Sequence, residues 1–182
     1  RELIEKLSRG ARVLNCFAYS GGFSLYAARG GARSVTSVEL SAHACGLCRA
    51  NLLLNGYDPA LHPVVTADVF DYLPTLEERF DLIILDPPAF AKSQKDVARA
   101  SRGYKEINLQ GIRHLERGGL LATFSCSNHI DHDFFKKIVL AAAADAGVVV
   151  QLLRELEPGV DHPVLLAHEE GRYLKGLLLR IM

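Results

Sequence analysis

The chain has 182 residues, 49% hydrophobic and 23% charged, enough apolar mass for one substantial core and a single domain, which excludes a disordered or fibrous polypeptide. Lys plus Arg and Asp plus Glu number 21 each, so global charge gives no argument for a nucleic-acid partner, and any such role must rest on local clustering. No apolar run approaches the ~20 residues of a membrane span, and Arg1-Glu2-Leu3-Ile4-Glu5-Lys6 has no signal-peptide core, so a soluble cytoplasmic protein without a membrane partner is expected. The chain opens on Arg1 rather than Met, which points to a longer parent polypeptide.

Taken in order, residues 1–9 read as a short amphipathic helix with Leu3, Ile4 and Leu7 on one face, ended by Gly10. A strand is predicted over Arg12 to Cys16, a small-residue turn at Ser20-Gly21-Gly22, a helix over Phe23 to Arg29, and a second strand from Ser34 to Glu39. That is a βαβ unit, whose glycines let backbone N–H groups approach a ligand at a helix N-terminus. Ser41 then caps a helix running to Asn55-Gly56. Cys45-Gly46-Leu47-Cys48 falls inside it and reads as two buried helix residues; with Cys16 and Cys126, the four cysteines are expected as free thiols, with no metal site. A third strand around Pro63 to Ala67 ends at Asp68.

Phe80 to Leu85 is a continuous apolar run of the kind a parallel strand needs when both its faces are covered, and Asp86-Pro87-Pro88 stops it. After a polar segment from Lys92 to Arg102, a helical pattern runs through Ile107, Leu109 and Leu115. Gly118-Gly119 breaks it before a strand over Leu120 to Phe124. A last helix from about Asp131 to Ala146 precedes two apolar runs, Val148 to Leu153 and Leu174 to Ile181, too close together for a parallel crossover and so expected to be an antiparallel pair. The order predicts an α/β fold with a Rossmann-like, doubly wound, mostly parallel seven-stranded sheet and a C-terminal antiparallel hairpin, in a single domain spanning 1–182.

Ligands of such sheets bind beyond the carboxyl ends of the strands, and several acids end strands here. The dinucleotide fingerprint needs three spaced glycines, whereas this turn holds only Gly21 and Gly22. An adenosyl ligand without phosphates therefore fits better, and S-adenosylmethionine is the expected cofactor. Asn15, Phe17, Tyr19, Ser20, Gly21 and Gly22 would form its loop, Glu39 and Leu40 its ribose side, Asp68 its amine contact, and Val69 and Phe70 the apolar face against the purine, with Asp86 closing the site. Cys126 ends a predicted strand on the same edge. Polar Ser125 and Ser127 on either side argue against burial in the core and for a nucleophile.

The motifs Asn15-Cys-Phe-Ala-Tyr-Ser-Gly-Gly-Phe23, Asp86-Pro-Pro-Ala-Phe90, Arg102-Gly-Tyr-Lys-Glu-Ile-Asn108, Thr123-Phe-Ser-Cys-Ser127, Asp161-His-Pro-Val164 and Tyr173-Leu-Lys-Gly176 resemble the catalytic domain of bacterial large-subunit ribosomal RNA cytosine carbon-5 methyltransferases, from about Val13 onward. The resemblance implies that Cys126 attacks carbon 6 of cytosine and that Asp86 contacts the ring nitrogen and amine. It also implies a ribosomal RNA substrate and an upstream RNA-binding domain, expected to be absent from this chain, whose loss could leave a surface for a homodimer. Removal of the carbon-5 proton needs a base, for which His129, His132, His162 and Tyr104 qualify by residue type alone. Lys92, Lys95, Arg99 and Arg102 recur at helical spacing near Asp86 and, with Lys105, are the expected RNA contacts. Two alternatives stand beside this. Asp86-Pro87-Pro88 also suits transfer to an exocyclic or side-chain amine, although Ala89 stands where that chemistry places an aromatic. A noncatalytic adenosyl- or RNA-binding module would be indifferent to loss of Cys126.

Overall fold

Two apolar runs form the centre of the molecule. In β1 (Arg12–Cys16) and β4 (Phe80–Leu85), successive side chains enter opposite layers. Leu14, Cys16, Ile83 and Leu85 pack into one apolar cluster, and Val13, Leu82 and Ile84 into the other. Both faces are covered, which is why the sequence shows a continuous apolar run rather than an alternation. Each such side chain, fully removed from water, contributes about 1.5–3 kcal/mol before chain entropy is counted. The computed structural model describes residues 1–91, 93–159 and 173–182.

Around this pair, β2 (Ser34–Glu39), β3 (Val64–Thr66), β5 (Leu115–Ser125), β6 (Val150–Leu156) and β7 (Lys175–Ile181) complete a seven-stranded sheet ordered β3-β2-β1-β4-β5-β7-β6. β1 pairs in parallel with both β2 and β4, while β7 is antiparallel to both β5 and β6. The order therefore reverses between β1 and β4, the switch point where loops diverge and a crevice opens. On one face lie α1 (Glu2–Leu7) and α2 (Gly22–Arg29), sending Ile4, Ala27 and Ala28 into the core. On the other, α5 (Val97–Arg113) and α6 (His132–Asp145) contribute Tyr104, Ile107, Phe135 and Ile138. The remaining helices, α3 (Ala42–Leu54) and the single turn α4 (Val69–Tyr72), follow β2 and β3. Among the described residues no helix is long and apolar enough to cross a membrane.

Two boundaries and one strand position differ from the sequence expectation. β5 begins at Leu115, not Leu120: it runs through Gly118-Gly119, with Gly118 at φ +81° and a register shift against β4 between Phe80 and Leu82. The glycine pair is a bulge in a strand rather than a helix stop. α5 begins at Val97, because Val97, Ala100 and Tyr104 supply a buried stripe beneath exposed charges. The two C-terminal strands form the expected antiparallel pair, but β7 slots between β5 and β6. Lys92, His162 and the Asp161-His162-Pro163-Val164 motif lie outside the described residues.

Candidate active site

The turn after β1 is built under backbone strain. Phe17 and Tyr19 stand at φ +60° and +48°, conformations that L side chains rarely adopt, and Gly21 follows at +83°. Glu39, at the tip of β2, holds the turn: its Oε2 accepts from the Tyr19 N–H at 3.0 Å and its Oε1 from the Ser41 N–H at 2.9 Å. Below, Asn15 Nδ2 donates to Ser24 Oγ at 2.8 Å, and Ser24 and Ser37 hydroxyls meet at 2.7 Å, tying β1, α2 and β2 together in a buried polar knot. Asn51 Nδ2 donates to the Ser20 carbonyl at 2.9 Å. A side chain at Gly21 would place its Cβ 2.5 Å from Cys48 Sγ, so the turn admits only glycine there.

These constraints open a cleft of about 530 Å³ beyond the strand tips. Phe17 and Tyr19 line it from the first turn, Glu39 and Leu40 from the end of β2, Asp68, Val69 and Phe70 from the end of β3, and Asp86 from the end of β4. The other loop residues named from sequence support it instead. Asn15 is buried in the polar knot, and Ser20, Gly21 and Gly22 shape the turn without lining the cleft. Pro87, Pro88 and Phe90 line it without having been expected to. The Phe90 ring is locked among Tyr104, Phe70 and Phe17, with centroids 4.5, 5.7 and 6.5 Å away, so the Asp-Pro-Pro exit presents an aromatic wall inward. The chemistry of the cleft fits an adenosyl group. Aromatic and aliphatic walls suit a purine, and the Glu39 carboxyl at the tip of β2 is of the acceptor type that ribose hydroxyls need. Asp68 is partly used as the N-cap of α4, its Oδ1 accepting from Phe70 N–H at 2.8 Å, leaving Oδ2.

Beside the cleft, Cys126 Sγ lies 3.6 Å from the Pro87 carbonyl, which accepts its thiol hydrogen. The flanking serines behave oppositely to the expectation drawn from their polarity. Ser125 and Ser127 are fully buried, while Cys126 between them is half-buried. Burial is affordable because each serine is satisfied: Ser127 Oγ meets Tyr104 Oη at 2.9 Å and accepts from Ala91 N–H at 3.1 Å, and Ser125 Oγ receives the Ser127 N–H at 3.4 Å. Lys175, only 5% exposed, donates to the Ser127 carbonyl at 2.6 Å. Burial pushes the Cys126 thiol above its ordinary value, as does the Asp86 carboxylate, while Lys175 opposes the shift. Burial likewise raises Asp86, against a lowering by Arg1.

Of the candidate bases, Tyr104 is wholly inside the core with its phenol raised by burial, and His132 Nε2 faces Glu155 at 3.6 Å. His129 is exposed. Of the cationic residues, Lys95 is exposed just before α5 and Arg99 and Arg102 on its first turns, with Arg99 reaching Asp96 at 3.3 Å; Lys105 turns instead to Asp145 on α6 at 2.7 Å.

A model of the S-adenosylmethionine-dependent methyltransferase family matches residues 1–179. The chain is 46% identical to ribosomal RNA large subunit methyltransferase I of Aeromonas hydrophila, covering 99% of this chain and 46% of that protein. It thus spans about half the length of the curated relatives it matches. Among solved structures, a Streptococcus mutans protein described as a SAM-dependent methyltransferase is 31% identical with a TM-score of 0.85, over 98% of this chain and 46% of that one. Another methyltransferase structure, complexed with SAH, is 32% identical with a TM-score of 0.86, over 98% and 47%. Together with the strand-tip cleft and its adenosyl-compatible walls, these matches show that the chain belongs to the S-adenosylmethionine-dependent methyltransferase family.

Proposed function

We propose that this chain is the catalytic domain of an RNA methyltransferase that modifies carbon 5 of a cytosine in large-subunit ribosomal RNA through a transient covalent bond to Cys126. The observation that carries the reading is the neighbourhood of Cys126: a half-exposed thiol at the end of β5, 3.6 Å from the carbonyl of the residue that follows Asp86, at the rim of the cleft. The name of the Aeromonas hydrophila relative supplies the substrate class. S-adenosylmethionine, when bound, supplies the methyl group on an electrophilic sulfonium, and Glu39, Asp68, Val69 and Phe70 are the residues that would hold its adenosine.

The chain's own residues supply what the pyrimidine lacks. Carbon 5 of cytosine is a weak nucleophile. When the Cys126 thiolate forms a bond to carbon 6, the displaced electron pair makes carbon 5 enamine-like. Asp86, its carboxyl raised by burial, donates a hydrogen bond or proton to the ring nitrogen that gains electron density. Once carbon 5 carries the methyl group, a base takes its proton, the double bond reforms and the sulfur–carbon bond breaks, returning the thiolate. The exposure of Lys95 just before α5 and of Arg99 and Arg102 on it supports phosphate contacts that hold an unpaired nucleotide. The amine alternative draws less support: it needs an aromatic free to stack on the substrate, and Phe90 is already packed against Tyr104.

The test is incubation with labelled S-adenosylmethionine and unmodified large-subunit ribosomal RNA, followed by mapping of the methylated base. Native chain is expected to give 5-methylcytosine, and Cys126→Ala to lose at least about 1,000-fold in rate, by analogy with other nucleophile removals. Methyl on an amine, or undiminished transfer by Cys126→Ala, would overturn the proposal.

A further inference from the structure

Lys175 is the first residue of β7 and lies opposite Ser125 in the β5–β7 register. The strand that follows, Gly176-Leu177-Leu178-Leu179, is wholly apolar and buried, so a methylene-rich side chain at 175 would satisfy packing without a charge. Instead the position holds an ammonium that is 5% exposed and forms no ion pair with a carboxylate among the described residues. Its Nζ donates at 2.6 Å to the carbonyl of Ser127, the residue after Cys126. Burying a cation without a carboxylate is costly, and such positions are kept where the charge is used.

Among the described residues, the charged and titratable groups facing Cys126 come from three elements. Asp86 arrives from the exit of β4 and opposes ionisation of the thiol. Tyr104 arrives from α5 and spends its hydroxyl on Ser127. Lys175 arrives from β7 and favours ionisation. Burial lowers the Lys175 ammonium below its ordinary value, and Cys126 and Asp131 oppose that lowering.

We infer that Lys175 is a positioning residue for the nucleophile: it fixes the Ser125-Cys126-Ser127 turn through the Ser127 carbonyl, and its ammonium stabilises the Cys126 thiolate that adds to the pyrimidine. The inference rests on the function proposed for Cys126. Lys175 takes no part in the proton's transfer; the thiol proton leaves to solvent when the thiolate forms. Without the ammonium, the thiolate would face a carboxylate in a half-buried site and be scarce at neutral pH.

The experiment is the pH profile of Cys126 alkylation by iodoacetamide, in which the thiolate displaces iodide, with the labelled cysteine assigned by peptide mass mapping to separate it from buried Cys16, Cys45 and Cys48. It is run on the native chain and on Lys175→Met, Lys175→Gln and Lys175→Arg, each checked for cooperative thermal unfolding. Lys175→Gln retains a donor for the Ser127 carbonyl but no charge. Met and Gln are expected to move the midpoint up by about one pH unit, a roughly tenfold loss of alkylation rate below the midpoint, while Arg stays near native. A folded Gln or Met variant with an unmoved midpoint would overturn the inference, as would a fall in melting temperature with no change in thiol ionisation. Because the readout uses neither RNA nor cofactor, it separates from the function itself: active Cys126→Ala would sink the nucleophile, and an unmoved midpoint would sink only Lys175.

Discussion

Asp86, in the role proposed for it, would serve the reaction at the expense of stability. Burial raises its carboxyl above the ordinary aspartate value, so the folded state holds its proton more tightly than the unfolded state does. For such an acid, stability falls as pH rises from the unfolded value through the raised folded value, and the loss persists above it. Asp86→Asn removes that loss. The variant is expected to melt at a higher temperature than the native chain at pH 7, with the gap closing as pH is lowered toward the ordinary carboxyl range, while methyl transfer falls by about 100-fold or more. Calorimetry across pH beside a transfer assay checks both halves; an Asn variant less stable than native at pH 7 would mean that the carboxylate is held favourably rather than strained. The burial of Ser125 and Ser127 is the same lesson read in reverse. Their polarity suggested a solvent-facing strand tip, yet each is fully buried, because Tyr104, the Ala91 N–H and the neighbouring backbone satisfy them.

At the scale of the element, the turn between β1 and α2 depends on one glycine and one carboxylate. Gly21→Ala forces a methyl group to within 2.5 Å of Cys48 Sγ at φ +83°. The left-handed backbone costs an alanine about 1–2 kcal/mol and the overlap about 1–3 more, so the melting temperature should drop by roughly 5–15 °C in a chain of this size. Adding Cys48→Ala should recover part of the drop, since the two sites are in contact and their effects do not add. Additive losses in the double variant would show that the backbone, not the overlap, sets the cost. Much of this element was legible: the apolar strand, the glycine turn and the acid at the tip of β2 are all sequence signals. The positive φ of Phe17 and Tyr19 was not, because nothing in two aromatic residues predicts it; it follows from Glu39 accepting the Tyr19 N–H across 20 positions of sequence. The start of α5 was missed for a different reason. Val97 and Ala100 carry its buried face, but they are diluted among Lys95, Asp96, Arg99 and Arg102.

At the scale of the molecule, the fold was readable because β4, the second half of β5 and the centre of β7 are buried on both faces and so leave apolar runs, and because β4 and β5 end at an acid or small residues. The walls of the cleft were readable to the extent that strand tips place them. Phe90 escaped because it lies five residues beyond the end of β4, and its position is set by packing on Tyr104. Lys175 left a signal that was passed over: one charge opening the buried apolar run of residues 176–179. What unites the molecule is that the sheet brings the exits of β4 and β5 side by side, so Asp86 and Cys126, 40 positions apart, lie close together, as the proposed reaction on one ring requires.

That central claim is tested most directly by trapping. RNA carrying 5-fluorocytidine at the target site has no carbon-5 proton to surrender, so after methyl transfer the sulfur–carbon bond cannot break. With S-adenosylmethionine present, the native chain is expected to form a complex with this RNA that survives denaturation, with the crosslink mapping to Cys126, and Cys126→Ala to form none. Methyl transfer to ordinary RNA with no such complex on the fluorinated RNA, or a crosslink to another residue, would contradict the account.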